Sequence, residues 1–560
     1  MNSPTTPSSD TELNTVADAG SLQLSKPRLY ISFALLLVYF GFISQGVLFT
    51  TEGAFERDAF YHARYAQMLP ERGVSRQFPW MQFTDWKDHF SDKDFLYHVF
   101  LAPFCQDAAE PLPGAKWATL LIGLAAYTLF FVILLRLKVP WPLFWTILLI
   151  AGSGLFFNRM LMVRSHVFSV LLMIGASYFV VRGHLRAVFI MGCVYAWSYS
   201  APVALVITAL GAAAGQTVFC GFDWRRIKLP LMAAAGVGVG LVIHPYSPNT
   251  LTLLWQIMSI SVSRVSGVNL ELGSEFNSIW PPGAFASFQN FGLAILSVML
   301  AIPGPLLALI AAMVIAVQLL RKRRPGRTLS PEGAAALGAA LAWLVGIFIF
   351  SRLVEYFAPL AILAAALIWR DAYTPAPTSE PVTDAQRAKF LGGMLAATVV
   401  LAGLHYLALK EVIALAYSTQ RHGMSQMYVD RDQWKYGRFF TNRKDGGAVK
   451  WLRDHAPAHS VIVNFHWDDF TELYYSAPDY YFLVGLDPTL MRLPYPEQSA
   501  TLEAMRTKKI PLDFRKLHEL FNADYLIMRN TRAAEYPELK SLQIRPAYAD
   551  EGAVVYRIGP

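Results

Sequence analysis

Long apolar runs separated by short basic loops fill the chain from about residue 28 to residue 411. Eleven of them are long enough to read as membrane spans: 28–50, 115–136, 140–158, 165–182, 186–201, 202–220, 229–246, 291–320, 333–351, 353–370 and 389–411. A run of about 20 apolar residues crosses a bilayer. It must do so as a helix, because lipid offers the backbone no hydrogen-bond partners. Residues 1–27 are rich in Ser, Thr, Pro and Asp and predict a disordered cytoplasmic tail; they lack the basic region, apolar core and cleavage site of a signal peptide. From residue 412 the pattern changes. Helix (AVKWLRDHAP), strand (SVIVNFHW), strand (YYFLVGLD), helix (DFRKLHELF), strand (DYLIMRN) and strand (AVVYRIG) follow in turn, which predicts a small α/β domain over 412–560. The fold class expected is a polytopic α-helical membrane protein, residues 28–411, with that domain at its C-terminus.

Charge orients this arrangement. Charged residues make up 16% of the chain, against roughly 25% in soluble proteins, and mean hydropathy is +0.35. The net charge of +8 does not point to nucleic acid, because the basic residues sit at the ends of apolar runs. Arg136 and Lys138, Arg182 and Arg186, Arg225 and Arg226, Arg321 through Arg327, and Arg370, Arg387 and Lys389 all fall on one side in an eleven-span count. The positive-inside rule makes that side cytoplasmic. The N-terminus is then inside, and the long segments 51–114, 247–290 and 412–560 are outside. Cys105, Cys193 and Cys220 have no metal-binding or disulfide-framework spacing.

The polar residues of those outside segments are the candidates for chemistry. Asp58 lies just beyond the first span, with Tyr61, His62 and Arg64 after it on a short amphipathic helix. It reads as a general base or metal ligand, or as a helix cap or ion-pair partner of Arg57 or Arg64. Further on, Asp85, Asp88, His89, Asp92, Asp94 and His98 crowd one stretch. Asp92-x-Asp94 brings two carboxylates within reach of one Mg²⁺ or Mn²⁺ if the segment bends there; a solvated acidic loop is the alternative. Phe78, Trp80, Phe83, Trp86 and Phe90 around it suit a segment in the membrane interface. Arg159, Arg164 and His166 open the fourth span, and Arg352 and Glu355 the tenth, on the side where arginines are not expected. They suit a phosphate or pyrophosphate. Otherwise Arg352 pairs with Glu355 and Arg164 snorkels. Glu271 and Glu275 share a helix face, over the same site or simply wet. His466, Asp468, Asp469, Glu472 and Asp487 gather at a strand end of the last domain, as a site or as a capped loop.

An acid after the first span, outside arginines and a C-terminal domain together resemble the GT-C glycosyltransferases, the superfamily of oligosaccharyltransferases, protein O-mannosyltransferases and aminoarabinose transferases. ERDAFYHARYA is similar to the segment carrying the first acidic motif of oligosaccharyltransferase catalytic subunits, and SRLVEYFAPLAILAAALI to the late span whose Arg and Tyr face the lipid phosphate. The resemblance implies a sugar moved from a polyprenyl-phosphate-linked donor to a glycan, lipid or protein acceptor on the outer face of a bacterial inner membrane. It implies Asp58 as catalytic carboxylate and Arg352 and Tyr356 against the donor phosphate; the residues themselves add Arg164, His62 and Glu271 as substrate-binding candidates and Mg²⁺ or Mn²⁺ on Asp58, Asp92 and Asp94. The chain departs from the pattern in lacking a WWDxG-type acceptor motif, for which HWDDF at 466–470 is a distant echo, and in placing Asp92-x-Asp94 in the first outside loop and not the next. A transporter or flippase of lipid-linked glycans, or an envelope-assembly protein, are the other readings. Transporters carry ionisable residues at mid-membrane, whereas the spans here are almost free of acids.

Overall fold

A computed structural model describes residues 26–49, 53–54, 56–265, 278–280, 287–321, 328–373, 447–541, 545–550 and 552–559. Helices of seven residues or more are numbered in chain order. They run α1 Lys26–Leu48, α2 Asp58–Arg72, α3 Phe95–Leu101, α4 Leu112–Arg136, α5 Pro142–Ala151, α6 Gly154–Met160, α7 Ser165–Arg182, α8 Leu185–Ser198, α9 Val203–Cys220 and α10 Lys228–Val242. There follow α11 Asn249–Val265, α12 Phe288–Ala301, α13 Pro303–Leu320, α14 Pro331–Ile349, α15 Val354–Tyr373, α16 Ala448–His455, α17 Phe470–Ser476, α18 Pro496–Arg506 and α19 Phe514–Phe521.

Among the described residues, seven helices are long and apolar enough to cross a membrane. They correspond to seven of the expected spans. Expected spans 186–201 and 229–246 are the shorter helices α8 and α10, and 389–411 lies outside the described residues. Two expected spans are corrected. Residues 140–158 form α5 and α6, bent by 83°. The turn is local: Ser153 caps α6 by accepting the Phe156 N–H. Residues 291–320 form α12 and α13, separated at Ile302 with Pro303 opening the second helix. Proline lacks the N–H and blocks the preceding turn, so the helix restarts there. The two breaks pack on each other. Gly304 N donates to Gly152 O at 2.7 Å, and Ser153 Oγ donates to Ala301 O at 3.0 Å. A Cβ on Gly304 would stand 2.6 Å from the Gly152 Cα, so only glycine permits the approach.

The basic loop ends do meet on one face. Arg182 pairs with Glu332 at 2.5 Å, Arg370 pairs with Glu332 at 2.7 Å, and Arg370 also donates to Leu137 O. The C-terminal domain is a five-stranded sheet of β1 Val461–Asn464, β2 Tyr481–Phe482, β3 Tyr525–Arg529, β4 Tyr548–Ala549 and β5 Ala553–Arg557. The order is β2-β1-β3-β5-β4, with β1 parallel to β2 and β3, and β5 antiparallel to β3 and β4.

The exposed edge of β2 is covered by the loop after α2. Gln82 N donates to Phe482 O and Phe83 N to Leu483 O, while Phe482 N donates to Trp80 O. Phe78, Trp80, Trp86 and Phe90 then bury in one core with Tyr61, Phe470, Tyr474 and Phe482. The aromatic segment expected at the membrane interface is instead the seam that fixes the domain on the membrane part. Covering a sheet edge removes unpaired backbone groups, and burying large aromatics contributes about 2 kcal/mol or more each.

Candidate active site

The seam places α2 between the helical bundle and the domain. Asp58 stands in its first turn. Its carboxylate pairs with neither Arg57 nor Arg64 but with Arg164, Oδ2 to Nη2 2.5 Å. Glu56 sits beside the same guanidinium at 3.5 Å and accepts the Asp58 N–H. The pair is about one quarter exposed on Asp58 and one fifth on Arg164, so a substrate can reach it. Arg64 is spent elsewhere, on the carbonyls of Tyr475 and Ala108.

Two more arginines lie near. Arg159 takes Glu355 in a buried ion pair. Arg352 donates to the Tyr199 hydroxyl at 2.7 Å. The sequence alternative that joined Arg352 to Glu355 therefore gives way to a different pairing, with Arg159 holding the glutamate. Tyr356 is 1% exposed. Its hydroxyl is engaged by Ser169 at 2.6 Å and Tyr195 at 3.1 Å, which makes it part of the bundle core. Glu271 and Glu275 lie outside the described residues.

His62, one turn beyond Asp58, enters a buried chain. Its Nδ1 meets His98 Nε2 at 2.8 Å, and His98 Nδ1 meets both Asp92 oxygens at 2.9 Å. Burial, then His98, Arg164 and Lys93, hold the His62 imidazole well below its ordinary value. Asp94 is 1% exposed, and burial raises its carboxyl. Both acids of the Asp92-x-Asp94 string therefore point into protein. The cage expected from Asp58, Asp92 and Asp94 is not formed: Asp92 faces His98 and Asp58 faces Arg164, and among the described residues no three His, Cys, Asp or Glu side chains are grouped for a metal ion.

The residue between those two acids carries what sequence reasoning missed. Lys93 is half-buried and has no hydrogen-bond or ion-pair partner among the described residues. It lines a narrow cleft that also touches Tyr199, which accepts from Arg352. The only signal in the sequence is its place as the x of the acidic string.

The domain contributes two features. Arg57, next to Asp58, is held by Asp468, which also accepts two 2.7 Å bonds from Arg532. Asp469 pairs with Arg529 at 2.6 Å. This five-charge cluster grips the chain one residue from the candidate carboxylate. Asp487, in the GLDPT turn, accepts from the Thr489 N–H at 2.8 Å and its hydroxyl at 2.6 Å. Burial raises the Asp487 carboxyl, and the two Thr489 hydrogen bonds, with Lys93 after them, lower it in part.

No protein-family model and no curated protein matches the chain. Among solved structures it is similar to the oligosaccharyltransferase of Archaeoglobus fulgidus in its apo form, with a TM-score of 0.55, 13% identity, and coverage of 89% of this chain and 69% of that one. The arabinofuranosyltransferase AftD from Mycobacteria aligns over 96% of this chain and 40% of its own, at 13% identity and a TM-score of 0.47. The first likeness shows the fold alone: a polytopic, mostly helical membrane architecture with a small C-terminal sheet region.

Proposed function

We propose that this protein is a glycosyltransferase that moves a sugar from a polyprenyl-phosphate-linked donor to an acceptor on the outer face of a bacterial inner membrane. The observation that carries this reading is the Asp58–Arg164 pair, a partly exposed carboxylate and guanidinium at the mouth of a GT-C-type fold.

In the resting site Arg164 occupies the carboxylate. A donor phosphate competes for that guanidinium, which it can hold bidentately. Asp58 is then released to accept the proton of an acceptor hydroxyl or amine. The acceptor atom attacks the anomeric carbon as the bond from that carbon to the phosphate oxygen breaks. The phosphate leaves with its charge met by Arg164 and Arg352. General-base help contributes about 10²–10⁴-fold, and positive charge at the leaving group contributes on a similar scale.

The test is transfer from defined polyprenyl-phosphate sugars by purified protein in nanodiscs. Asp58→Asn is expected to cut turnover by about 10²–10⁴-fold while donor binding persists. Undiminished transfer in that variant removes Asp58 from the chemistry.

A further inference from the structure

The buried row His62–His98–Asp92 is wired in one direction. The Asp92 carboxylate only accepts. It takes the His98 Nδ1–H at 2.9 Å on both oxygens and the Asp94 backbone N–H at 3.0 Å. With both rings neutral, the form that burial favours, His98 Nε2 is then a bare lone pair. The 2.8 Å contact between His98 Nε2 and His62 Nδ1 needs a proton, and only His62 can supply it. His62 therefore turns a bare Nε2 away from the row. Among the described residues it makes one hydrogen bond, through Nδ1.

A row that only tied α2 to α3 would end on a satisfied group. This one ends on a free lone pair beside the candidate carboxylate. His62 follows Asp58 by four residues on α2. The two share a face, and helical side chains lean back over the turn before them. Arg164, the partner of Asp58, acts on the His62 ring. The start of α3 is joined to the same place, because Ser165, next to Arg164, bonds the Asp94 side chain, and Tyr97 packs on Phe168.

We propose that His62 Nε2 takes from Asp58 the proton that Asp58 has drawn from the acceptor, with His98 and Asp92 as the positioning residues that keep Nε2 bare. This rests on the transfer reaction above. While donor and acceptor fill the mouth, water cannot reach that proton; the row can. The Asp58 O–H bond breaks as an N–H bond forms at His62 Nε2. The His62 Nδ1 proton moves to His98 Nε2, and the His98 Nδ1 proton moves to Asp92. Three protons shift by one place, no imidazolium forms, and the negative charge passes from Asp92 to Asp58. Electrostatics favours that direction, because Asp92 is fully buried, whereas Asp58 is partly exposed and faces Arg164. The restored carboxylate draws Arg164 back and frees the spent phosphate. Once the site opens, the row shifts back and water takes the proton from Asp58.

The experiment uses the full chain in nanodiscs, labelled with ¹⁵N-histidine, and the transfer assay described above. Nitrogen spectra, with His62→Gln and His98→Gln to assign the two rings, are expected to show both protonated on Nδ1 alone. Asp92→Asn places an amide donor against His98 Nδ1, which turns both rings over and puts a proton on His62 Nε2. Its turnover is expected to fall about 10²-fold, the lower end of what positioned proton transfer contributes, with the donor KM unchanged. His62→Gln is a second variant with the same loss. Wild-type turnover is expected to bend as the deuterium fraction of the solvent rises, since several protons move together, and that of His62→Gln to vary linearly. The spectra need no turnover, so the two readings fail separately. A wild type that shows this Nδ1 pattern but transfers no sugar sinks the donor reading and upholds the wiring of the row. A wild type that transfers sugar with His62 protonated on Nε2 overturns the relay, and so does full turnover in Asp92→Asn or His62→Gln.

Discussion

Arg164 decides what Asp58 can do, and Arg159 shows how differently a second arginine from the same short stretch is used. The Asp58 pair is open to solvent and can exchange partners. The Arg159–Glu355 pair is 5% and 1% exposed and cannot. Removing one member of a buried pair leaves an uncompensated charge, at roughly 3–5 kcal/mol, whereas replacing both with apolar residues is often neutral. Glu355→Leu is therefore expected to lower thermal stability strongly. The double variant Glu355→Leu with Arg159→Met is expected to recover most of the loss. Melting curves of the two single variants and the double check this; additive losses would mean that the two residues are not coupled. Little of this was legible in the sequence. Asp58 stood out as an acid at a span end, but local sequence offered Arg57 and Arg64 as partners, and the real one comes from the start of α7. Lys93 went unnoticed because the acids flanking it matched a metal pattern. A string of letters does not show that Asp92 and Asp94 turn inward, which leaves the residue between them to face the cleft.

At the level of elements, helix α2 is held from three sides. The His62–His98–Asp92 chain ties it to α3, the aromatic seam ties it to the sheet, and Arg57 ties its first turn to Asp468. Asp468 does not contact Asp58 in this arrangement, yet Asp468→Ala is expected to reduce transfer as well as the domain's melting temperature. It removes the anchor of both Arg57 and Arg532, worth roughly 2–3 kcal/mol for a partly exposed cluster. A variant with unchanged transfer and melting would show that the cluster positions nothing. His466, beside it, gives a pH signature. Burial, with Arg532 next, lowers this imidazole to about 3, from an ordinary value near 6.5. Below about pH 6.5 the unfolded chain takes up a proton that the folded domain refuses until about 3. The stability is thus full above 6.5 and falls as pH drops, by roughly 1–2 kcal/mol between 6.5 and 5. His466→Gln is expected to flatten that slope in unfolding measurements taken across the range. The elements of the domain were legible because strand alternation and short amphipathic helices are local signals. The helix breaks were not read, although Gly152-Ser153 and Ile302-Pro303 were in plain view. Hydropathy averages over a run and passes through a turn that stays apolar.

For the whole molecule, the governing question is which face meets which compartment. The structure puts the basic ends together, through the contacts of Arg182, Glu332, Arg370 and Leu137. It puts Asp58, the Lys93 cleft and the C-terminal domain together through the seam. The apolar helices between them separate the two groups. The proposed reading, by the positive-inside rule, has the basic ends in the cytoplasm and the candidate site outside. This matters chemically, because polyprenyl-linked sugars used outside need no nucleotide at the site, and the chain has no Gly-rich nucleotide loop. Topology also separates the readings. A flippase must expose its polar path to both sides in turn. Here the partly exposed charges Asp58, Arg164 and Lys93 keep to one side, whereas Arg159 and Glu355 are locked together in the interior. Reporter fusions give the decisive measurement. A periplasm-active reporter joined after Pro560 or inserted at Asp107 in the first long loop is expected to be active, and one inserted at Arg327 silent. The opposite pattern would place Asp58 in the cytoplasm, where nucleotide sugars are the available donors, and would end the case for a polyprenyl-phosphate donor used outside.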